Sequence, residues 1–206
     1  MNGIFRYDSP VMEFFSCVAD LMILNVITLV SMLPLVTVGA ALTAMHRVLL
    51  DMVREREHHV VRSYFQTFRS NFKQATLLWG IMAAVGIGLF LDIRILRGGG
   101  LPGAVLTVIL GAASFFWYLT FLYLFPLQAH FENRMRDTLK NALLMSIAAF
   151  PRTLGILAAS SLPVLLVLLL DARCLPILFF LGAVGPGYLS ALLYSPYLKR
   201  FEPDEE

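Results

Sequence analysis

The chain has 206 residues, of which 58% are apolar and only 15% charged, with a mean hydropathy of +0.75 and a formal charge of +2. A water-exposed globule normally carries about 25% charged residues, so lipid is the implied solvent. With so small a net charge and no basic stripe interleaved with aromatics, nucleic acid is excluded as an expected partner.

Five stretches contain no Asp, Glu, Lys or Arg: residues 21–46, 74–91, 98–131, 153–170 and 174–198. Roughly 20 apolar residues at 1.5 Å rise cross a hydrocarbon core of about 30 Å, so these runs predict a polytopic membrane protein. Residues 1–206 read as one membrane domain of all-α class, a helical bundle built from five or six membrane-embedded helices in tandem hairpins. Ahead of the first run stand Asp8, Glu13 and Asp20 rather than a basic segment, which predicts a retained helix and not a cleaved signal.

The first part, residues 1–56, is a broken helix or a hairpin. Ser9 and Pro10 predict a helix start, and the helix continues through Asp20 and Asn25 to about Leu33. Pro34 then removes a donor, Thr37 is placed to cap a second helix, and Gly39 opens that helix. This second helix is apolar through Met45 but then carries His46, Arg47 and Asp51, leaving open whether it recrosses the membrane or continues the first span.

The second part, residues 60–130, begins with an amphipathic stretch over residues 60–76. Phe65 and Phe68 alternate there with Arg62, Arg69 and Lys73, the pattern of a helix lying at the membrane interface. Spans are predicted over 77–96 and 102–130, joined by the turn Gly98-Gly99-Gly100-Leu101-Pro102-Gly103. The third part, residues 132–198, repeats the order. A basic amphipathic stretch with Arg134, Arg136, Lys140 and Arg152 precedes an apolar region split at Asp171–Pro176, and an acidic tail, 199–206, follows.

Leu91-Asp92-Ile93-Arg94 recurs 79 positions later as Leu170-Asp171-Ala172-Arg173. Tyr118-Leu119, Pro126 and Phe131-Glu132 recur 70 positions later as Tyr188-Leu189, Pro196 and Phe201-Glu202, and a weaker third copy lies at Val38–Ala44. Hairpins that return to their starting side give parallel repeats. With six helices, three of the 16 Lys and Arg (Arg94, Arg97, Arg173) face outward; with five, Arg6 joins them. Either way the large basic loops and the C-terminus are expected to be cytoplasmic.

Ionisable or amide residues in or beside apolar spans are costly and attract functional interest. Asp20 and Asn25 are candidates for boundary or interhelical hydrogen bonds, and Asp92, Arg94, Asp171 and Arg173 for a polar rim or local ion pairs. Arg62, Phe65, Phe68, Arg69, Lys73, Arg134, Arg136, Lys140 and Arg152 are candidates for cytoplasmic docking. His46, His58, His59 and His130 have no metal-ligand spacing, and Cys17 and Cys174 lie beside different runs, so neither a metal nor a disulfide is expected. No Gly-x-Ser-x-Gly, phosphate loop or His-Glu-x-x-His occurs. No cofactor is expected, and the chain reads as a non-enzyme.

Phe5-Arg6-Tyr7-Asp8-Ser9-Pro10, Leu33-Pro34 with Thr37 and Gly39-Ala40-Ala41, Asn71-Phe72-Lys73-Gln74-Ala75 and Pro151-Arg152-Thr153 occur in an order that resembles the YesL-like family of bacterial membrane proteins. That family is a domain of unknown function whose members tend to be encoded beside ABC-type carbohydrate uptake systems. The resemblance implies an accessory role beside ABC sugar permease subunits in the bacterial inner membrane, and a homo-oligomer is compatible with it. The alternative is an autonomous small transporter or channel using a polar path between hairpins. A membrane enzyme acting on a lipid-linked sugar would need a polar cluster at one depth.

Overall fold

The computed structural model describes residues 10–54, 59–96, 100–131, 134–170 and 182–198, and all the regular structure in them is helical. The helices are α1 (Pro10–Met32), α2 (Val38–Val53), α3 (Val60–Leu96), α4 (Gly100–His130), α5 (Met135–Ala148), α6 (Phe150–Leu170) and α7 (Val184–Leu198). By length and composition α1, α3, α4, α6 and the stretch Leu35–Val53, which contains α2, could each cross a membrane. The all-α, multi-pass membrane class read from the sequence therefore holds. The charge-free stretch 174–198 is described only from Gly182 onward, and Asp171, Arg173 and Pro176 lie outside the described residues.

α1 starts at Pro10 and stops at Met32, where Pro34 cannot continue the ladder. A 3-10 turn, Leu35–Thr37, joins it to α2. Thr37 does not cap α2 with its side chain, contrary to expectation. Its hydroxyl donates backward, to the carbonyls of Ser31 and Pro34. The break leaves end-of-helix acceptors on α1 without a following turn, and in an apolar setting satisfying them takes precedence over the cap.

α2 is the central post of the bundle, packed by α1, α3, α4 and α7. Its small residues Gly39, Ala40, Ala41 and Ala44 are buried, and Met45, Val48, Leu49 and Leu50 continue the buried surface. Small side chains let helix backbones approach closely, and lipid-embedded helices gain most of their association energy from such packing. At Gly39 the approach is closest, since an added Cβ would meet the Ala75 carbonyl oxygen and lie 2.7 Å from Trp79 Cβ. The second helix left unassigned by the sequence is thus the most enclosed of all.

α3 is continuous for 37 residues, so the amphipathic stretch 60–76 is not a separate interfacial helix. At 1.5 Å per residue α3 is about 55 Å long, well beyond a hydrocarbon core. Its first half is amphipathic because one face packs on the bundle: Val60, Tyr64 and Ala75 are buried and Phe68 packs against the same core. Arg62, Phe65, Arg69 and Lys73 are exposed.

The turn between α1 and α2 lies against Ala75 and Trp79, whose indole Nε1 donates to the Leu35 carbonyl at 2.9 Å. Trp79 lies thirteen residues, about 20 Å of helix, from the Asp92–Arg94 end of α3. The first helix pair is therefore uneven: its turn lies at the middle of α3, six residues or about 9 Å of helix beyond Lys73.

α3 and α4 form an antiparallel hairpin. Gly86 admits the Trp117 ring, Trp79 packs on Phe121, and Gln74 bonds Gln128. In the α6–α7 pair, Gly155 receives Leu193. Shifted by the repeat offsets of 79 and 70 residues, Gly155 and Leu193 fall on Thr76 and Tyr123, between the Trp79–Phe121 and Gln74–Gln128 contacts. The two hairpins thus share one register. They differ in that the segment equivalent to the first half of α3 is detached as α5, with the chain turning at Ala149 before α6.

Candidate functional site

A helix that is apolar for its first eight residues and then carries His46, Arg47 and Asp51 must place those three somewhere, and α2 places them inside the bundle near its basic end. Arg47 and Asp51 stand one helical turn apart and form an ion pair of 3.3 Å, with Asp51 buried. The Arg47 Nη1 also donates to the Ala129 carbonyl of α4, at 3.4 Å. One turn further, Arg54 Nε donates to Ser195 Oγ on α7. His46 Nδ1 lies 3.3 Å from the Tyr194 hydroxyl, also on α7.

A second polar thread joins α3 to α4. Gln74 Nε2 donates to Gln128 Oε1 at 3.1 Å, and Gln128 Nε2 donates to Asn71 Oδ1 at 3.3 Å. Gln128 is 3% exposed, so an unpaired amide there would carry a full desolvation cost. Between the two threads is a cavity of about 310 Å³ lined by Arg47, Asp51, Ser63, Thr67, Asn71 and Gln128. Gln66, Ser70, Ala129, His130 and Phe131 complete its lining, which thus combines amides, hydroxyls, one imidazole and one ion pair. Among the described residues no three His, Cys, Asp or Glu side chains gather as a metal site would require. The arrangement can hold water or a small polar solute, and it cross-links α2 to α4 and α7.

Asn25 performs a different task. It is fully buried on α1, and its Oδ1 accepts the backbone N–H groups of both Ala183 and Val184 at 3.0 Å. Val184 is the first residue of α7, so Asn25 satisfies donors that a helix start leaves without intrahelical partners. Asp20, five residues before it, is half-buried. Asp92 is exposed, and the exposed Arg94 lies over the Phe90 ring at 5.4 Å rather than in a cavity. None of these four lines the polar cavity.

The docking candidates divide. Lys73, Arg134 and Arg136 line one groove between α3 and α5, together with Leu77, Leu78 and Ile81. Arg62, Phe65, Arg69 and Lys140 are exposed elsewhere on the two helices, Phe68 stacks on Tyr64, and Arg152 is half-buried in the first turn of α6. Sequence reasoning passed over Arg47, Asp51, Asn71, Gln74 and Gln128 as site residues. The available signal was an ion pair at i, i+4 following eight apolar residues, which marks a polar place inside a bundle.

Residues 21–93 match a family model described as "Protein of unknown function, DUF624". The uncharacterized protein YteU of Bacillus subtilis (strain 168) is 26% identical over 99 residues, 48% of this chain and 45% of that protein. The uncharacterized protein YesL of the same organism is 29% identical over 143 residues, 69% of this chain and 66% of that protein. The chain is thus similar to these YesL-like proteins. It spans less than two thirds of the length of these curated relatives. The matched family segment runs from Leu21 to Ile93 and so covers α2 with Gly39, His46, Arg47 and Asp51, together with most of α3, including Asn71 and Gln74. The match to the family model thus extends to the helices that form two sides of the polar cavity. No solved structure matches the chain.

Proposed function

We propose that this YesL-like protein is a non-enzymatic accessory or scaffolding subunit of an ABC-type carbohydrate uptake system in the bacterial cell membrane, with its basic end and C-terminus cytoplasmic. One observation carries the non-transport part of this reading. The centre of the bundle is filled by Leu24, Leu49, Leu50, Tyr64, Tyr123 and Phe125, each at most 2% exposed. A monomeric channel needs a continuous polar path, and Asp20, Asn25, Asp92 and Arg94 stand apart from one another and from the polar cavity. The sugar-uptake part rests on the YesL-like resemblance and the setting it implies.

Exposed residues at the basic end of α3 and on α5 suit a docking role, because they combine aromatic and cationic side chains. The test is gentle solubilisation of native membranes containing a tagged copy, followed by identification of what copurifies. Permease subunits in stoichiometric amount are the expected result. Isolation of the protein alone, together with unchanged sugar uptake after its deletion, overturns the reading. The autonomous-carrier alternative requires uptake of a labelled sugar by vesicles that contain only this protein.

A further inference from the structure

We propose that the groove between α3 and α5 binds one anionic phospholipid, with the headgroup phosphate held by Lys73, Arg134 and Arg136 and an acyl chain lying along Leu77 and Ile81. The groove has a volume of about 780 Å³. Its polarity changes along α3 as that of a lipid does along its length. Lys73 is the last charged residue before the charge-free stretch 74–91, and Leu77 and Ile81, one and two turns further on, are 55% and 42% exposed. From Lys73 to Ile81 is about 12 Å of helix, enough for the upper part of an acyl chain below a headgroup.

Charge selects the class of lipid. Three cations and one carboxylate, Asp137, line the groove, so an anionic headgroup is favoured over a zwitterionic one. The cations come from two helices that are distant in sequence, and the apolar wall comes from α3 and from Met135 and Leu139 of α5. A small soluble anion would make no use of that apolar wall. A lipid in the leaflet at the basic end meets both parts at once, at the depth where its own phosphate and chains already lie. This site is independent of the accessory role proposed above, because it needs only the protein and a membrane.

The full chain in nanodiscs of phosphatidylcholine doped with phosphatidylglycerol provides the test, with retained lipids counted by native mass spectrometry after release into detergent. One phosphatidylglycerol should be retained about tenfold over phosphatidylcholine, and the K73Q/R134Q/R136Q variant should retain both to within about twofold. The R62Q/R69Q variant removes charge from α3 outside the groove and should keep the full preference. Circular dichroism and a single size-exclusion peak establish that each variant is folded. Equal retention by wild type and the triple variant overturns the proposal, as does loss of the preference in R62Q/R69Q or displacement of the lipid by millimolar inorganic phosphate.

Discussion

Gly39→Ala tests whether close packing of α2 on α3 organises the bundle. The added methyl would lie 2.7 Å from Trp79 Cβ and 2.9 Å from the Ala75 carbonyl carbon, and nearer still to the Ala75 oxygen. These atoms belong to the backbone or to the base of a side chain, so no rotamer change relieves them. Carbon atoms rest at about 3.5–4.0 Å, and the two helices must therefore part by roughly 1 Å. Overpacking of this kind costs about 1–3 kcal/mol, against which alanine gains up to about 1 kcal/mol of helix propensity over glycine. A net loss of about 1–2 kcal/mol is expected, or roughly 2–8 °C in midpoint at this chain length. Gly80→Ala and Gly88→Ala are the controls, because nothing lies within 4 Å of a Cβ built at either position. Both should be neutral or up to about 1 kcal/mol more stable. Unfolding in detergent followed by tryptophan emission provides the assay, and Trp79 itself reports the contact. If Gly39→Ala proves as stable as Gly80→Ala, the close α2–α3 approach is wrong.

Asn25→Ala should cost about 1–3 kcal/mol and speed hydrogen exchange at the start of α7, since one buried and one part-buried N–H group lose their acceptor; unchanged exchange at Ala183 and Val184 refutes this. Asp51→Leu alone should destabilise by about 1–3 kcal/mol, a figure lowered by the one-third exposure of Arg47, and the R47M/D51L double variant should lose less than the sum of the singles. Strict additivity in that cycle would count against the ion pair. In a background with Cys17 and Cys174 replaced by serine, Ile95→Cys should react with a membrane-impermeant maleimide applied from the Asp92–Arg94 side. Val36→Cys should stay protected from the same side; labelling of both at equal rates contradicts the uneven first pair.

Much of the fold was legible because lipid imposes a coarse rule. Charge-free runs of sufficient length become helices, and Pro34 marks where the first one stops; of the expected turn at Gly98–Gly103, Gly98 and Gly99 lie outside the described residues and the rest belongs to the start of α4. The repeat was legible as well, and the shared register of Gly155–Leu193 with the α3–α4 hairpin gives it a geometric form. The role of the amphipathic stretch 60–76 was misjudged, because an apolar helical face looks the same whether it meets lipid or protein. Tyr64 and Phe68 turned inward to the bundle, while Phe65 and Phe72 stayed outside. Thr37 was assigned to the helix that follows it, whereas the carbonyls left by the helix before it were the more pressing acceptors.

The site was harder to read, since its members come from four helices. His46, Arg47 and Asp51 in the sequence suggested only that α2 was an uncertain span. Their meaning depends on Ala129, Tyr194 and Gln128, which lie roughly 80 to 150 residues away and meet α2 only after the helices pack. Lys73 and Arg134 likewise show no relation until α3 and α5 border one groove.

By itself the sequence determined the solvent, the class and the approximate helices, because burial of backbone polar groups in hydrocarbon admits few solutions. Tertiary structure alone decided that α2, the helix that carries His46, Arg47 and Asp51, would be the most buried one. Small residues at its start let neighbours close around it, and polar partners on α3, α4 and α7 then made the charge at its end tolerable.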